Sequence, residues 1–178
     1  FLNFNNRSRP NKQALLSYLK KFNLIDYGYV SNLSAEQDES LMSKYEFNNF
    51  YNYDKSNYSD FVENIPGHLF LDNFGCADAS SPASYYNTSY FSIVSETFTG
   101  NKVRFITEKT YKPILMGHPF TIHGTTNTLD YLKETGYNTF PELFDETYDA
   151  DVDTKKQLKK NLNNLNVNFQ ITKGLTKK

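Results

Sequence analysis

The hydrophobic and polar positions along this chain alternate between the period of strands and the period of helices. The first run, FLNFN, alternates apolar and polar side chains and predicts a short strand. Pro10 suits the first position of a helix. The run KQALLSYLKKF that follows has its leucines on one stripe and its lysines on the other, so we predict an amphipathic helix. GYVSNLS, entered through Gly28, predicts a second strand. Strand, helix and strand in this order are typical of a parallel α/β unit.

A similar alternation continues in the second half of the chain. YFSIVSETF is rich in aromatic and β-branched residues and is the strongest strand signal in the sequence. After the turn TGNK, the stretch VRFITEKTYKPILMG predicts a helix that Gly117 ends as a cap. The apolar stripe of this helix consists of Ile106, Tyr111, Ile114 and Leu115. HPFTIHG then predicts a buried strand.

The remaining elements follow from the same patterns. NTLDYLKETG predicts a helix with Gly136 as its stop, FPELFDETYD a short helix, and DTKKQLKKNLNNLNVNF a longer amphipathic one. Residues 34–62 are polar and read as an irregular excursion, and residues 167–178 as a tail. The whole predicts an α/β fold, a Rossmann-like parallel sheet flanked by helices, in a single domain over residues 1–178.

Composition narrows the classes of partner. The 19 Lys and Arg balance 20 Asp and Glu, which argues against nucleic acid as a partner because its binders usually carry a basic excess. No run of about 18 apolar residues occurs, so we expect no transmembrane segment. Cys76 is the only cysteine, which excludes an intrachain disulfide. We expect a cytoplasmic protein, with peripheral membrane association as an open alternative.

The charged pair Glu108 and Lys109 lies where a loop turns into a helix, next to Thr107. If Thr107 caps that helix, the free N–H groups at its positive end favour an anion, and Lys109 adds a point charge for a phosphate. A carboxylate accepts hydrogen bonds only, so Glu108 suits the hydroxyls of a ribose. The alternative is that Thr-Glu is ordinary helix capping.

Arg7 and Arg9 come between the first predicted strand and the first helix, where open α/β sheets bind ligands. Two guanidinium groups there suit a diphosphate, or they are merely solvated. Glu96, near the end of its strand, either pins a loop or contacts a ligand. Arg104 completes the set of candidate substrate-binding residues. All of them follow strands and precede helices, so we expect them to meet along one edge of the sheet.

The sequence lacks the motifs of several other classes of metal site and enzyme. His68, His118 and His123 have no spacing typical of metal ligands, and for His123 we favour a structural role. GxSxG, Walker and GxGxxG motifs are absent from the sequence, so a nucleotide-binding hydrolase is the weakest hypothesis. No catalytic residue is identified, and neither a metal nor another cofactor is expected.

The ordered motifs of this chain resemble a known family. The aromatic strand that leads to Glu96, FITEK at residues 105–109 and GHPFTIHG at residues 117–124 are similar to the donor-binding half of α1,3-fucosyltransferases and related two-Rossmann-domain (GT-B) glycosyltransferases. The opening, residues 1–19, is similar to the first strand, Arg-bearing loop and helix of such domains in phage and bacterial relatives.

The resemblance implies a glycosyltransferase that transfers a sugar from a nucleotide-sugar donor to a glycan or other acceptor without a metal. It implies that Lys109, with Arg7 or Arg9, holds the donor diphosphate, that Glu108 binds the ribose, and that Glu96 contacts the sugar or the loop. The chain resembles the C-terminal half alone, so the acceptor domain is missing and the isolated chain is expected to be inactive. Thr97 and Phe98 replace the Asn and Ser of the fucosyltransferase motif, which leaves donors other than GDP-fucose open. The alternative is a non-catalytic interaction module that has kept the fold.

Overall fold

The computed structural model describes residues 1–5, 10–22, 24–31, 83–100 and 103–175. In these residues the strands are β1 (Leu2–Phe4), β2 (Tyr29–Ser31), β3 (Ser92–Gly100) and β4 (Phe120–Thr125). The α-helices are α1 (Pro10–Lys21), α2 (Ala83–Asn87), α3 (Glu108–Leu115), α4 (Thr128–Glu134) and α5 (Thr154–Leu175), and two 3-10 helices span Ile25–Tyr27 and Glu146–Ala150. The predicted excursion at residues 34–62 lies outside the described part of the chain.

The strands form one parallel sheet in the order β2-β1-β3-β4, which confirms the predicted α/β class. Helix α1 connects β1 to β2 on one side, while β3 and β4 lie on the other side of β1. The strand order therefore reverses between β1 and β3. In open parallel sheets the crevice outside the carboxyl ends at such a reversal is where ligands bind.

Successive side chains of β3 pack alternately into two hydrophobic cores, one on each face of the sheet. Ile93 packs with the leucines of α1 and α5, including Leu16, Leu19 and Leu162. Val94, its neighbour, packs in a second cluster with Phe120, Ile122, Leu129, Leu132 and Tyr148, against which Ile114 of α3 also packs. The two-residue period of a strand places these neighbours on opposite faces. Helices α1 and α5 therefore cover one face of the sheet, and α3 packs on the other.

The outer edge of β4 is covered by side chains. The Ile122 N–H donates to the Tyr148 hydroxyl over 2.9 Å, and the Asn161 side-chain amide donates to the Ile122 carbonyl over 3.0 Å. The Tyr148 hydroxyl also lies 2.9 Å from Thr121 Oγ1. Burial raises the pKa of Tyr148, so its hydroxyl keeps its proton. Backbone groups that an edge strand would leave unpaired are satisfied here, which protects the edge against pairing with another chain.

The predicted glycine stops are confirmed. Gly117 follows α3 with φ +60°; its N–H donates to Ile114 O, and the His118 N–H donates to Pro113 O. This pair of bonds is a Schellman motif, in which the residue after the helix adopts a left-handed conformation that glycine allows without strain. Gly136, with φ +89°, ends α4 in the same manner.

Three predicted details differ from the structure. Helix α3 begins only at Glu108, so Ile106 precedes it. Leu115 is 83% exposed, because Pro113 and Ile114 are the residues of the last turn that pack against the core. The short helix predicted from FPELFDETYD is a 3-10 helix at Glu146–Ala150. Helix α5 continues through Leu175, so the chain from residue 167 to that point is helical where a tail was expected.

Candidate functional site

The backbone of β1 and β3 pairs through Leu2 and Ser92, and beyond that pair a side chain bridges the strands. The Asn3 side-chain amide donates to the Ile93 carbonyl over 2.7 Å and lies 3.5 Å from Ser95 Oγ. Asn3 is 1% exposed. A polar side chain therefore satisfies a buried carbonyl of β3 at the point where the strand order reverses.

A small cleft, open to solvent, lies against this part of the sheet, on the face that α3 covers. Its walls come from β1, β3, α2 and α3, and they consist of Leu2, Phe4, Tyr86, Ser92, Ile93, Val94, Ser95, Lys109, Lys112 and Pro113. Lys109 and Lys112 are three residues apart on α3, a spacing that places two side chains on the same face of a helix. The helical wall of the cleft therefore carries two cations.

Glu96 lies beneath the start of α3 and is completely buried. Its Oε1 accepts from the Thr107 N–H over 2.9 Å and from the Thr110 hydroxyl over 2.6 Å, while its Oε2 accepts from the Thr107 hydroxyl over 2.6 Å. Gly124 of β4 lies beside it, and a Cβ there would lie 3.4 Å from both Glu96 Cβ and Cγ, at the limit of ordinary contact. Of the two predicted roles of Glu96, these contacts are those of loop pinning.

Thr107 caps α3 as predicted, because its hydroxyl oxygen accepts from the Lys109 N–H over 3.3 Å. The same oxygen lies 3.2 Å from Lys109 Nζ, which also donates to Glu108 Oε1 over 3.0 Å. The Lys109 side chain is only 13% exposed, whereas that of Glu108 is 55% exposed. The lysine therefore lies in the cleft wall and the glutamate at its rim.

The charge of Glu108 is favoured by its neighbours. Partial burial by itself would raise its pKa, but the hydrogen bond from Lys109 and the charges of Lys109 and Lys112 lower it overall. Glu108 is thus ionised at neutral pH and accepts hydrogen bonds only.

The predicted arginines do not join this group in the described structure. Arg104 is exposed, and its guanidinium stacks 4.4 Å from the centre of the Tyr131 ring, a cation–π contact away from the described walls of the cleft. Arg7 and Arg9 lie outside the described residues. The structure therefore brings together Glu96, Thr107, Glu108 and Lys109 of the predicted set.

His118 holds two of the surrounding elements together, and His123 is buried in β4. His118 Nδ1 lies 2.9 Å from Ser92 Oγ, and its Nε2 lies 3.0 Å from the Ser89 carbonyl oxygen. Burial lowers the pKa of His118, so the ring is neutral at physiological pH and ties the start of β3 to the segment after α2. His123 is 2% exposed, and burial lowers its pKa to about 4.

Three polar residues near the cleft were not predicted from the sequence. Lys112 could have been found from its spacing to Lys109 on one helix face. Asn11, in the first turn of α1, donates from its side-chain amide to the Glu96 carbonyl over 2.9 Å. Its contact, like that of Asn3, joins residues about ninety positions apart, so only the folded sheet reveals it.

Other classes of site lack support in the part of the chain that the structure describes. No group of three His, Cys, Asp or Glu side chains there could hold a metal ion. None of the described helices is long and apolar enough to cross a bilayer.

Comparisons with protein families, curated proteins and solved structures find no match for the chain. The likeness to fucosyltransferases therefore rests on the sequence motifs alone.

Proposed function

We propose that this chain is the donor-binding domain of a glycosyltransferase and that the cleft beside α3 holds the diphosphate of a nucleotide sugar. The observation that carries the proposal is the position of Lys109 and Lys112 in a cleft at the reversal of strand order. Parallel α/β sheets bind nucleotides at such reversals. The order of the motifs around Glu96 and Lys109 supports the choice of a glycosyltransferase among nucleotide-binding proteins.

The chemistry of the leaving group fits these cations. When the glycosidic bond of a nucleotide sugar breaks, negative charge develops on the departing diphosphate. Fixed ammonium groups directed at that charge stabilise the transition state more than the ground state, which lowers the barrier without a metal. The macrodipole of α3 has its positive end at the start of the helix, next to Lys109, and this also favours a bound anion.

The remaining predicted residues have assigned places in this proposal. Glu108, ionised and at the rim, accepts the ribose hydroxyls. Arg7 and Arg9 belong to the connection between Asn5, after the last residue of β1, and Pro10, the first residue of α1. This connection follows β1 in the sequence, and on that ground we propose that the arginines add to the neutralisation of the diphosphate. The acceptor and the general base come from a separate domain, so the isolated chain binds donor without transferring sugar.

The test is calorimetric titration of the purified chain with GDP, UDP, ADP and CMP, beside Lys109→Ala. We expect one base to be preferred and Lys109→Ala to weaken its binding by about 10- to 100-fold, the range for a lost charge-assisted hydrogen bond. Lys159→Ala removes an exposed lysine of α5 and serves as the matched control, with unchanged affinity.

Two results would contradict the proposal. The first is the absence of binding to all four nucleotides, which would favour the non-catalytic interaction module. The second is equal loss in Lys109→Ala and Lys159→Ala, because a general charge effect does not require the cleft.

A further inference from the structure

The carboxylate of Glu96 accepts its described hydrogen bonds from residues at the start of α3. Two hydroxyl donors and one backbone donor, from Thr107 and Thr110, reach its two oxygens over 2.6 to 2.9 Å. The residue is completely buried, so these bonds replace its hydration. Glu96 thus acts on the end of the helix that carries Lys109.

The hydroxyl of Thr107 has one proton and two lone pairs to distribute. Its proton goes to Glu96 Oε2 over 2.6 Å, because the two groups of Lys109 beside the hydroxyl can only donate. Both lone pairs then face Lys109, whose N–H lies 3.3 Å and whose Nζ lies 3.2 Å from the same oxygen. The Glu96 oxygen that accepts this proton therefore sets the direction of the Thr107 hydroxyl and leaves the hydroxyl oxygen as an acceptor for the lysine.

We infer that Glu96 is a positioning residue that orients the Lys109 ammonium through the Thr107 hydroxyl; the inference rests on the proposed role of Lys109 in holding the diphosphate. Thr107 and Glu108 take two of the three ammonium protons, and the third remains for a phosphate oxygen. Fixing a flexible lysine before the ligand arrives reduces the entropy lost on binding. Glu96 itself does not touch the donor.

We call the hydrogen bonds that run from Glu96 through the Thr107 hydroxyl to the Lys109 ammonium the relay. Substitutions distinguish the relay from a role of Glu96 and Thr107 in packing alone. In Glu96→Gln one carboxylate oxygen becomes an amide donor, which competes with Lys109 for the lone pairs of Thr107. Thr107→Val removes the hydroxyl at nearly constant volume, while Thr107→Ser keeps it and is the matched control. A residue that only supports the fold would not distinguish Thr107→Ser from Thr107→Val in the state of the lysine.

The first readout does not depend on any ligand. We expect the wild-type chain to show a ¹H–¹⁵N cross-peak from the hydrogen-bonded Lys109 ammonium, assigned by its absence in Lys109→Arg. The peak persists in Thr107→Ser and disappears in Thr107→Val and Glu96→Gln. Its persistence in Thr107→Val, with the fold intact by circular dichroism, would overturn the relay. Should Glu96→Gln fail to fold, the two Thr107 variants carry the test.

The second readout is affinity for the nucleotide that the wild-type chain prefers. We expect Glu96→Gln and Thr107→Val to weaken binding by about 5- to 10-fold, and Thr107→Ser by less than about 2-fold. Because the effect passes through the lysine, Glu96→Gln should add less than about 2-fold in a Lys109→Ala background. Full additivity would overturn the relay while leaving the proposed function intact. Absence of binding in the wild type would instead contradict the proposed function, and the ammonium peak would still decide the relay.

Discussion

The hydrogen bonds at the start of α3 show which contacts of single residues could be predicted from the sequence. Thr107 could be predicted as a cap, and Glu96 as an acid near the carboxyl edge of the sheet, because both follow from local patterns. The convergence of Thr107 and Thr110 on one carboxylate could not be predicted. It depends on how α3 packs over β3, and the partners are separated by 11 and 14 residues in the chain.

Asp149 offers a residue-scale test of burial. It is 3% exposed, and its Oδ2 accepts from the Leu129 N–H over 2.7 Å at the start of α4. Burial, with smaller contributions from the charges of Asp130 and Glu146, raises its pKa to about 7 despite that bond and nearby Lys133. The folded state therefore binds a proton between about pH 4 and 7 that the unfolded chain releases.

The sign of the pH dependence follows from this difference. The free energy of unfolding should fall as pH rises from about 4 to 7, by up to about 1.4 kcal/mol per pH unit from Asp149 alone. Asp149→Asn cannot titrate, so this part of the slope should vanish in the variant. Urea denaturation of both proteins at several pH values measures it. Parallel pH profiles for the two proteins would show that Asp149 is ionised in the fold.

For the helices and strands, the periodicity of the sequence predicted their type and order better than their first and last residues. The strand around Ile93, the helix around Leu16 and the glycine stops at Gly117 and Gly136 could be predicted because each is a local property. Leu115 was wrongly assigned to an apolar stripe. The position of α3 on the sheet determines which of its residues are buried, and this position is not a local property of the sequence. The 3-10 helix at Glu146–Ala150 has too few residues for a periodic signal.

Tyr148 of that 3-10 helix tests the cover of the β4 edge. Tyr148→Phe keeps the ring but removes the hydroxyl that accepts from the Ile122 N–H. A buried donor left unpaired costs about 1–3 kcal/mol, so we expect a loss of that size in the free energy of unfolding. Tyr137→Phe, at a residue that is 39% exposed, should change it by less than about 0.5 kcal/mol. Equal effects in thermal or urea denaturation would contradict this account of the edge.

At the scale of the whole molecule, the strand order determines where a site forms. Sequence patterns predicted a parallel α/β sheet, but the order β2-β1-β3-β4 and the cleft at its reversal depend on which strands pair. Lys112 lines the cleft, and Asn3 bridges β1 and β3, only because β1, β3 and α3 meet there. The sequence motifs are the basis of the proposed class of ligand, and the fold shows which side chains line the cleft proposed to hold it.

Amide NMR during nucleotide titration tests where on the chain a nucleotide diphosphate binds, which we propose is the cleft beside α3. We predict that the largest shifts fall on residues 107–112 and on Asn3 and Phe4, and that Lys109→Ala abolishes them. Helix α5 around Lys159 provides the internal reference, with unchanged signals. The absence of shifts, or shifts confined to the segments before β3 and β4, around Tyr90 and Leu115, would contradict the proposal.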